Sequence, residues 1–230
     1  MKDTNGVFTT MRVYDGIIEN YKLHYKRLQA HAAFVGINFD QDILEILHAY
    51  LEENDAKKGT YRLKVMVLEF YDQVRCELSP YTSEYVEKRL VLLDEQKTSM
   101  PGIKTVNYDK RHTLFRKAQA LCYDDCLVQT QEGILLESSY ANIFWVHNKN
   151  IYTPSSKLPI LYGTMITTIE SLSFPFHEVF CTLLEIPSTA SVYLCNSLNW
   201  FLPVVAIADR TFKRDFEFED ILKKALAKRF

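Results

Sequence analysis

Lys104 lies in Gly102-Ile103-Lys104-Thr105-Val106-Asn107-Tyr108, with apolar neighbours where a surface lysine usually has charged ones. Taken alone, a lysine is most often a plain surface residue, and the apolar setting is what opens a functional reading beside that one. Glu137 closes Gly133-Ile134-Leu135-Leu136-Glu137 and precedes Ser138-Ser139-Tyr140-Ala141-Asn142-Ile143-Phe144-Trp145. The carboxylate therefore falls between two apolar runs. Either it faces water at a strand end, or it is buried and needs a cationic partner.

Three further places offer groups suited to an anion. Arg27 sits in His24-Tyr25-Lys26-Arg27-Leu28, Gly163-Thr164-Met165 opens a helix after a proline-containing loop, and Asn196-Ser197 follows an apolar strand. A guanidinium and the free N–H groups of a helix start both match phosphate chemistry. Each also has a plain structural reading, as a solvated helix arginine or a turn glycine. Lys110-Arg111-His112 with Arg116-Lys117 has helical spacing and reads as a wet helix face, not a nucleic-acid site.

These residues need elements to hold them. A β-run over Val7 to Val13 ends at Asp15-Gly16, a hairpin signal, and returns at Ile17 and Ile18. Helical periodicity follows over Tyr21 to Val35 and Asp40 to Glu53, then strands at Tyr61 to Val67, Val74 to Leu78 and Leu90 to Leu93. The breaker-rich stretch from Asp94 to Ile103 reads as a linker. Beyond it come a helix over Asp109 to Leu121 and strands at Cys126 to Gln129, Ile134 to Leu136, Asn142 to Val146 and Ile151 to Thr153. The pattern continues with a helix from Gly163 to Leu172, strands at Glu178 to Thr182, Val192 to Cys195 and Val204 to Ala208, and a terminal amphipathic helix through Phe218, Leu222 and Leu226. The expectation is an α+β chain in two lobes: 1–98 as a small domain, 99–103 as the linker and 104–230 as the larger domain.

Composition narrows the function. The chain has 230 residues, 47% hydrophobic and 24% charged, with seven Gly and seven Pro, which excludes collagen-like and disordered classes. A net charge of −2 excludes nucleic-acid binding built on phosphate neutralisation. The first residues lack an apolar signal core and no run suits a bilayer span, so a cytoplasmic protein with reduced thiols and no membrane association is expected. No metal-ligating spacing accompanies the five cysteines.

In order along the chain, these segments resemble the class IV aminotransferases, the fold-type IV pyridoxal-phosphate enzymes, and are most similar to the aminodeoxychorismate lyases among them. The resemblance rests on Gly6-Val7-Phe8-Thr9-Thr10-Met11-Arg12-Val13 through Asp15-Gly16, on His24 to Leu28, on Gly102-Ile103-Lys104 with Asn107, and on Glu137 with Ala141-Asn142-Ile143-Phe144. Tyr152-Thr153-Pro154, the Gly163 helix start, and Cys195-Asn196-Ser197-Leu198 with Leu202-Pro203-Val204 complete it. Two departures stand out: the strand that family members carry before the glycine matching Gly6 is largely missing, and Ile166-Thr167 replaces an arginine that commonly follows the glycine turn.

The resemblance implies a small α/β sandwich domain, with its N-terminal strand trimmed, and a larger pseudo-barrel domain. It implies pyridoxal 5'-phosphate bound covalently to Lys104, with Glu137 at the pyridine nitrogen. Arg27, Gly163, Thr164, Met165, Asn196 and Ser197 would hold the phosphate, and Tyr108 would reach the cofactor phenolate. Thr10 would position a proton and Arg12 would bind a substrate carboxylate, although Arg12 could equally be a cross-strand partner in the sheet. The implied activity is conversion of 4-amino-4-deoxychorismate to 4-aminobenzoate and pyruvate, a step of folate biosynthesis, in a homodimer with the site near the subunit interface. The alternatives are a branched-chain or D-amino-acid transaminase acting on a small-molecule amine and, least favoured, a cofactor-free binding protein.

Overall fold

The computed structural model describes residues 5–69, 74–83, 85–94, 102–106 and 109–230. The chain divides into two units, one of Met1–Ser83 with Ile103–Tyr108 and Phe230, the other of Glu84–Gly102 with Asp109–Arg229. The boundary expected at 99–103 differs from this division. The strand Lys88–Asp94, expected in the first lobe, pairs in parallel with strands of the second unit, while Lys104 groups with the first. Residues 95–101 of the expected linker lie outside the described residues.

The smaller unit begins with β1 (Gly6–Tyr14), β2 (Ile17–Ile18), α1 (Tyr21–Phe34) and α2 (Leu44–Glu53), then β3 (Thr60–Leu68) and β4 (Arg75–Pro80). Its sheet runs β2-β1-β3-β4, antiparallel throughout. Asp15 and Gly16 both have positive φ, 46° and 80°, the geometry of the tight hairpin that an Asp-Gly pair favours. Period-two alternation sends Val7, Met11 and Val13 of β1, with Leu63, Val65 and Val67 of β3, against Leu28, Ala32, Leu47 and Leu51 of the helices. α2 starts at Leu44, four residues later than its periodicity suggests, because the Asp42 carboxylate accepts the Leu44 amide at 3.0 Å and the Tyr21 hydroxyl at 2.6 Å.

The larger unit is built on β5 (Lys88–Asp94), α3 (Asp109–Ala120), β6 (Asp125–Gln129), β7 (Leu135–Ser138), β8 (Asn142–His147), β9 (Asn150–Pro154) and α4 (Thr164–Glu170). β10 (Phe176–Val179), β11 (Ser191–Asn196), β12 (Trp200–Ile207), β13 (Arg210–Thr211) and α5 (Phe216–Ala227) complete it. Its nine-stranded mixed sheet runs β10-β9-β8-β11-β12-β5-β6-β7, with β13 beside β12. The central strands are buried on both faces. Leu127 faces the cluster of Leu90, Ile143, Leu194 and Val204, whereas Cys126 and Val128 face Leu114 and Ala118 of α3. The strand expected at Glu178 to Thr182 sits earlier, at Phe176–Val179, where it pairs in parallel with β9. Thr182 instead caps a 3-10 turn, Leu183–Glu185, its amide and hydroxyl both donating to the Glu185 carboxylate.

Candidate functional site

Each unit carries one cluster of the expected site residues, and the two are of opposite chemical type. In the smaller unit, Lys104 belongs to a short stretch laid along β1. Phe8 N–H donates to the Lys104 carbonyl at 2.9 Å, Val106 N–H donates to the Gly6 carbonyl at 3.0 Å, and Thr105 forms a bridge with Val7. The Lys104 amide donates to His31 Nδ1 at 3.2 Å. Its backbone is thus held from both sides. Lys104 Nζ lies 4.7 Å from the centre of the Phe8 ring, within cation–π range.

Arg27 rises from α1 toward the same strand, where Nη2 donates to Thr9 Oγ1 at 2.9 Å. Thr9 Oγ1 lies 2.6 Å from His24 Nδ1, and both residues are buried. Burial, with the Arg27 and Lys104 charges, holds the His24 imidazole well below its usual pKa. The same three causes, in the same order, lower His31 to about 4. Both rings are therefore neutral at neutral pH.

Thr10 and Arg12 share the other face of β1 with Phe8. Arg12 makes an ion pair with buried Glu19 at 3.3 Å and lies over the Tyr14 ring at 5.4 Å. Tyr108, with Asn107, lies outside the described residues.

In the larger unit Glu137 is 5% exposed at the end of β7. Its carboxylate makes an ion pair with Arg111 of α3 and accepts the Leu161 amide at 2.9 Å. Arg111 also donates to the Ser138 carbonyl at 2.9 Å. The cationic partner a buried Glu137 requires is thus Arg111, assigned from the sequence to a solvated helix face. Its spacing contained the signal: Arg111, Leu114 and Ala118 stand at i, i+3 and i+7, and the last two are buried against the sheet.

The Leu161 to Gly163 turn is fastened by Asn142, which donates to the Leu161 carbonyl at 2.9 Å and accepts the Gly163 amide at 3.0 Å. A Cβ at Gly163 would meet Asn142 Oδ1 at 2.5 Å, so the close approach requires glycine. Thr164 and Met165 open α4 and are buried. Asn196, at the end of β11, accepts the Leu198 and Asn199 amides, each at 3.0 Å, and so shapes the turn that contains Ser197. Sequence reasoning also missed Asp125, whose buried carboxylate accepts the Ser138 hydroxyl at 2.9 Å, the Ser139 hydroxyl at 2.5 Å and the Cys126 amide at 2.7 Å. Asp125 thereby braces the backbone just after Glu137.

The shielded thiols are poor rival nucleophiles. Burial pushes the Cys76 thiol up to about 11 and those of Cys126 and Cys181 up to about 12, so each stays protonated near neutrality. Among the described residues no group of three His, Cys, Asp or Glu is placed to hold a metal ion, and no helix is long and apolar enough to cross a membrane.

Among curated relatives, the chain is 27% identical over 180 residues to the aminodeoxychorismate lyase of Bacillus subtilis, covering 69% of this chain and 61% of that protein. It is 26% identical over 170 residues to a branched-chain-amino-acid aminotransferase assigned in Rickettsia felis, covering 66% of this chain and 59% of that one. The chain thus spans about three fifths of the length of these relatives. Among solved structures, a candidate 4-amino-4-deoxychorismate lyase of Legionella pneumophila superposes with a TM-score of 0.86 at 22% identity, over 99% of this chain and 92% of that one. The PLP-bound form of a hypothetical aminotransferase from Mycobacterium tuberculosis superposes at 0.83 and 16% identity, over 98% and 88% of the two chains. At these identities the structures establish the two-part α+β fold of the fold-type IV enzymes. A family model described as amino-transferase class IV matches residues 6–207, nearly the whole chain, and the protein therefore belongs to that family of pyridoxal-phosphate enzymes.

Proposed function

We propose that this chain is a pyridoxal-phosphate-dependent lyase that converts 4-amino-4-deoxychorismate to 4-aminobenzoate and pyruvate, with Lys104 as its covalent and proton-transferring residue. The observation that carries the reading is the placement of Lys104, anchored at its amide and its carbonyl with its amine over Phe8. The donor set fits the cofactor. An amine suits an aldehyde, a guanidinium suits a phosphate, and a buried ionised carboxylate suits a protonated pyridine nitrogen. The buried start of α4 at Thr164 and Met165, set by the turn that Asn142 fastens at Gly163, suits backbone-mediated phosphate binding.

When bound, the cofactor supplies an electron sink for a carbanion at the substrate's amine-bearing carbon. This chain's residues do the rest. Lys104 Nζ holds the cofactor and removes the proton from that carbon. Glu137, kept ionised by Arg111 and the Leu161 amide, pairs with the ring nitrogen. Arg27 with Gly163, Thr164, Met165, Asn196 and Ser197 would hold the phosphate, and Tyr108 would serve the cofactor phenolate. Thr10 positions the transferred proton. Arg12 can take a substrate carboxylate by sharing its guanidinium between that group and Glu19. Loss of the enolpyruvyl group then aromatises the ring. We also infer a cytoplasmic homodimer with the residue roles divided between a small first domain and a larger second one.

The relatives named as branched-chain aminotransferases support a second reading, amino-group transfer between a small amino acid and a 2-oxo acid through the same Lys104 and Glu137. One assay separates the two. Pyruvate release from 4-amino-4-deoxychorismate without an amino acceptor is the expected result. Conversion of the cofactor to its amine form by an amino acid, with no lyase turnover, selects the transaminase.

A further inference from the structure

We propose that Thr9, His24 and His31 are positioning residues: two buried, neutral histidines with bare Nδ1 atoms act as hydrogen-bond acceptors, His24 orienting the Arg27 guanidinium through Thr9 and His31 fixing the Lys104 backbone amide. This inference rests on the functional reading above for what the two cations bind. Its tautomer statement rests on geometry alone.

A guanidinium has only donors, so at the 2.9 Å contact Thr9 Oγ1 accepts from Arg27. The hydroxyl has one proton of its own to give, and His24 Nδ1 stands 2.6 Å away. Arg27 Nη2 also lies 3.5 Å from that same Nδ1. A proton on Nδ1 would point toward a donor that is already there, so Nδ1 carries its lone pair and the ring proton sits on Nε2. The chain of donation therefore runs from Arg27 to Thr9 to His24. His31 repeats the arrangement on the lysine, since its Nδ1 accepts the Lys104 amide at 3.2 Å and must be bare as well.

Burial, with the Arg27 and Lys104 charges, disfavours protonation of the two rings, so each keeps its acceptor role at neutral pH.

The test has two arms on the full chain. The first records long-range proton–nitrogen correlations of histidine-labelled protein, with His24 and His31 assigned through His24→Gln and His31→Gln. Both rings should show protonated Nε2 and bare Nδ1 at neutral pH. A protonated Nδ1 or an imidazolium on His24 overturns the inference. The second arm measures the dissociation constant of pyridoxal 5'-phosphate by its absorbance for Thr9→Val and Thr9→Ser, alongside thermal midpoints. Loss of the hydroxyl should weaken binding on the order of tenfold, the scale of one hydrogen bond to a charged group, while Thr9→Ser restores it. Equal affinity of Thr9→Val and the native chain overturns the positioning role, and the tautomer arm decides the matter if Thr9→Val does not fold. A native chain that binds no pyridoxal 5'-phosphate overturns the functional reading and the role in binding together. A protonated Nδ1 with normal binding overturns the inference alone.

Discussion

The polar cluster of the smaller unit and that of the larger unit solve opposite electrostatic problems. Around β1, the Arg27 guanidinium donates to the Thr9 hydroxyl beside the His24 ring, and the Lys104 backbone amide donates to the His31 ring. Around β7, an anion, Glu137, is held by a full counter-charge from Arg111 and by a backbone amide, and the chain after it is tied to a second buried carboxylate, Asp125. The difference teaches how burial treats the two signs. A half-buried lysine or arginine can send its charged end toward water along a flexible stem. A glutamate enclosed at a strand end has no such escape and requires a cation.

The comparison breaks most visibly at Lys104. Lys104→Ala should abolish borohydride trapping of the cofactor and lower turnover by roughly a thousandfold or more, as expected when a covalent and proton-transferring group is lost. Trapping at another lysine would contradict the assignment. Next in size is Glu137→Gln, which leaves Arg111 facing a neutral amide. Removing one partner of a buried pair should lower the unfolding free energy by about 3 kcal/mol, read from urea titration, while Arg111→Lys should lose less.

The histidines give a pH test whose sign is opposite to that of Asp125. His31 is lowered to about 4 in the folded chain, so the unfolded chain binds more protons between the ordinary histidine range and that value. Stability should therefore fall as pH drops from about 6.5 toward 4, and His31→Gln should flatten that fall. Burial raises the Asp125 carboxyl, an effect only partly offset by the Ser139, Cys126 and Ser138 donors. Its folded form binds the proton more readily than its unfolded form, so its contribution is largest at acid pH and is lost as pH rises through the raised pKa. Asp125→Asn should remove this dependence, visible as convergence of native and variant urea midpoints at low pH. The smallest effect expected is about 1 kcal/mol for Arg12→Lys, which keeps the charge facing Glu19 and loses the planar fork.

Much of the fold was legible because it depends on local pattern. The alternation in β1 and β3, the Asp15-Gly16 hairpin and the heptad-like spacing of α5 each follow from side chains a few residues apart. Elements were misplaced where a long-range or capping contact decided the boundary, as at Asp42 for α2 and at the β9 partner of β10. The assignment of β5 to the smaller lobe failed for the same reason, since its partners β12 and β6 are distant in sequence. Of the candidate site, the sequence singled out Lys104, Glu137 and Arg27, which remain proposals for its reactive groups, and it did not show what holds them. Arg111 and Asp125 look like ordinary surface charges until α3 and β6 bring them beside β7.

By itself, the sequence determined the family and the fold class, because those depend on residue type, order and spacing. Only the tertiary structure decided which histidine nitrogen accepts, which arginine compensates Glu137 and why Gly163 must lack a side chain. Each of those is a contact of a few ångströms between residues far apart in the chain, and hydrogen-bond direction and steric exclusion exist only once the backbone has closed that distance.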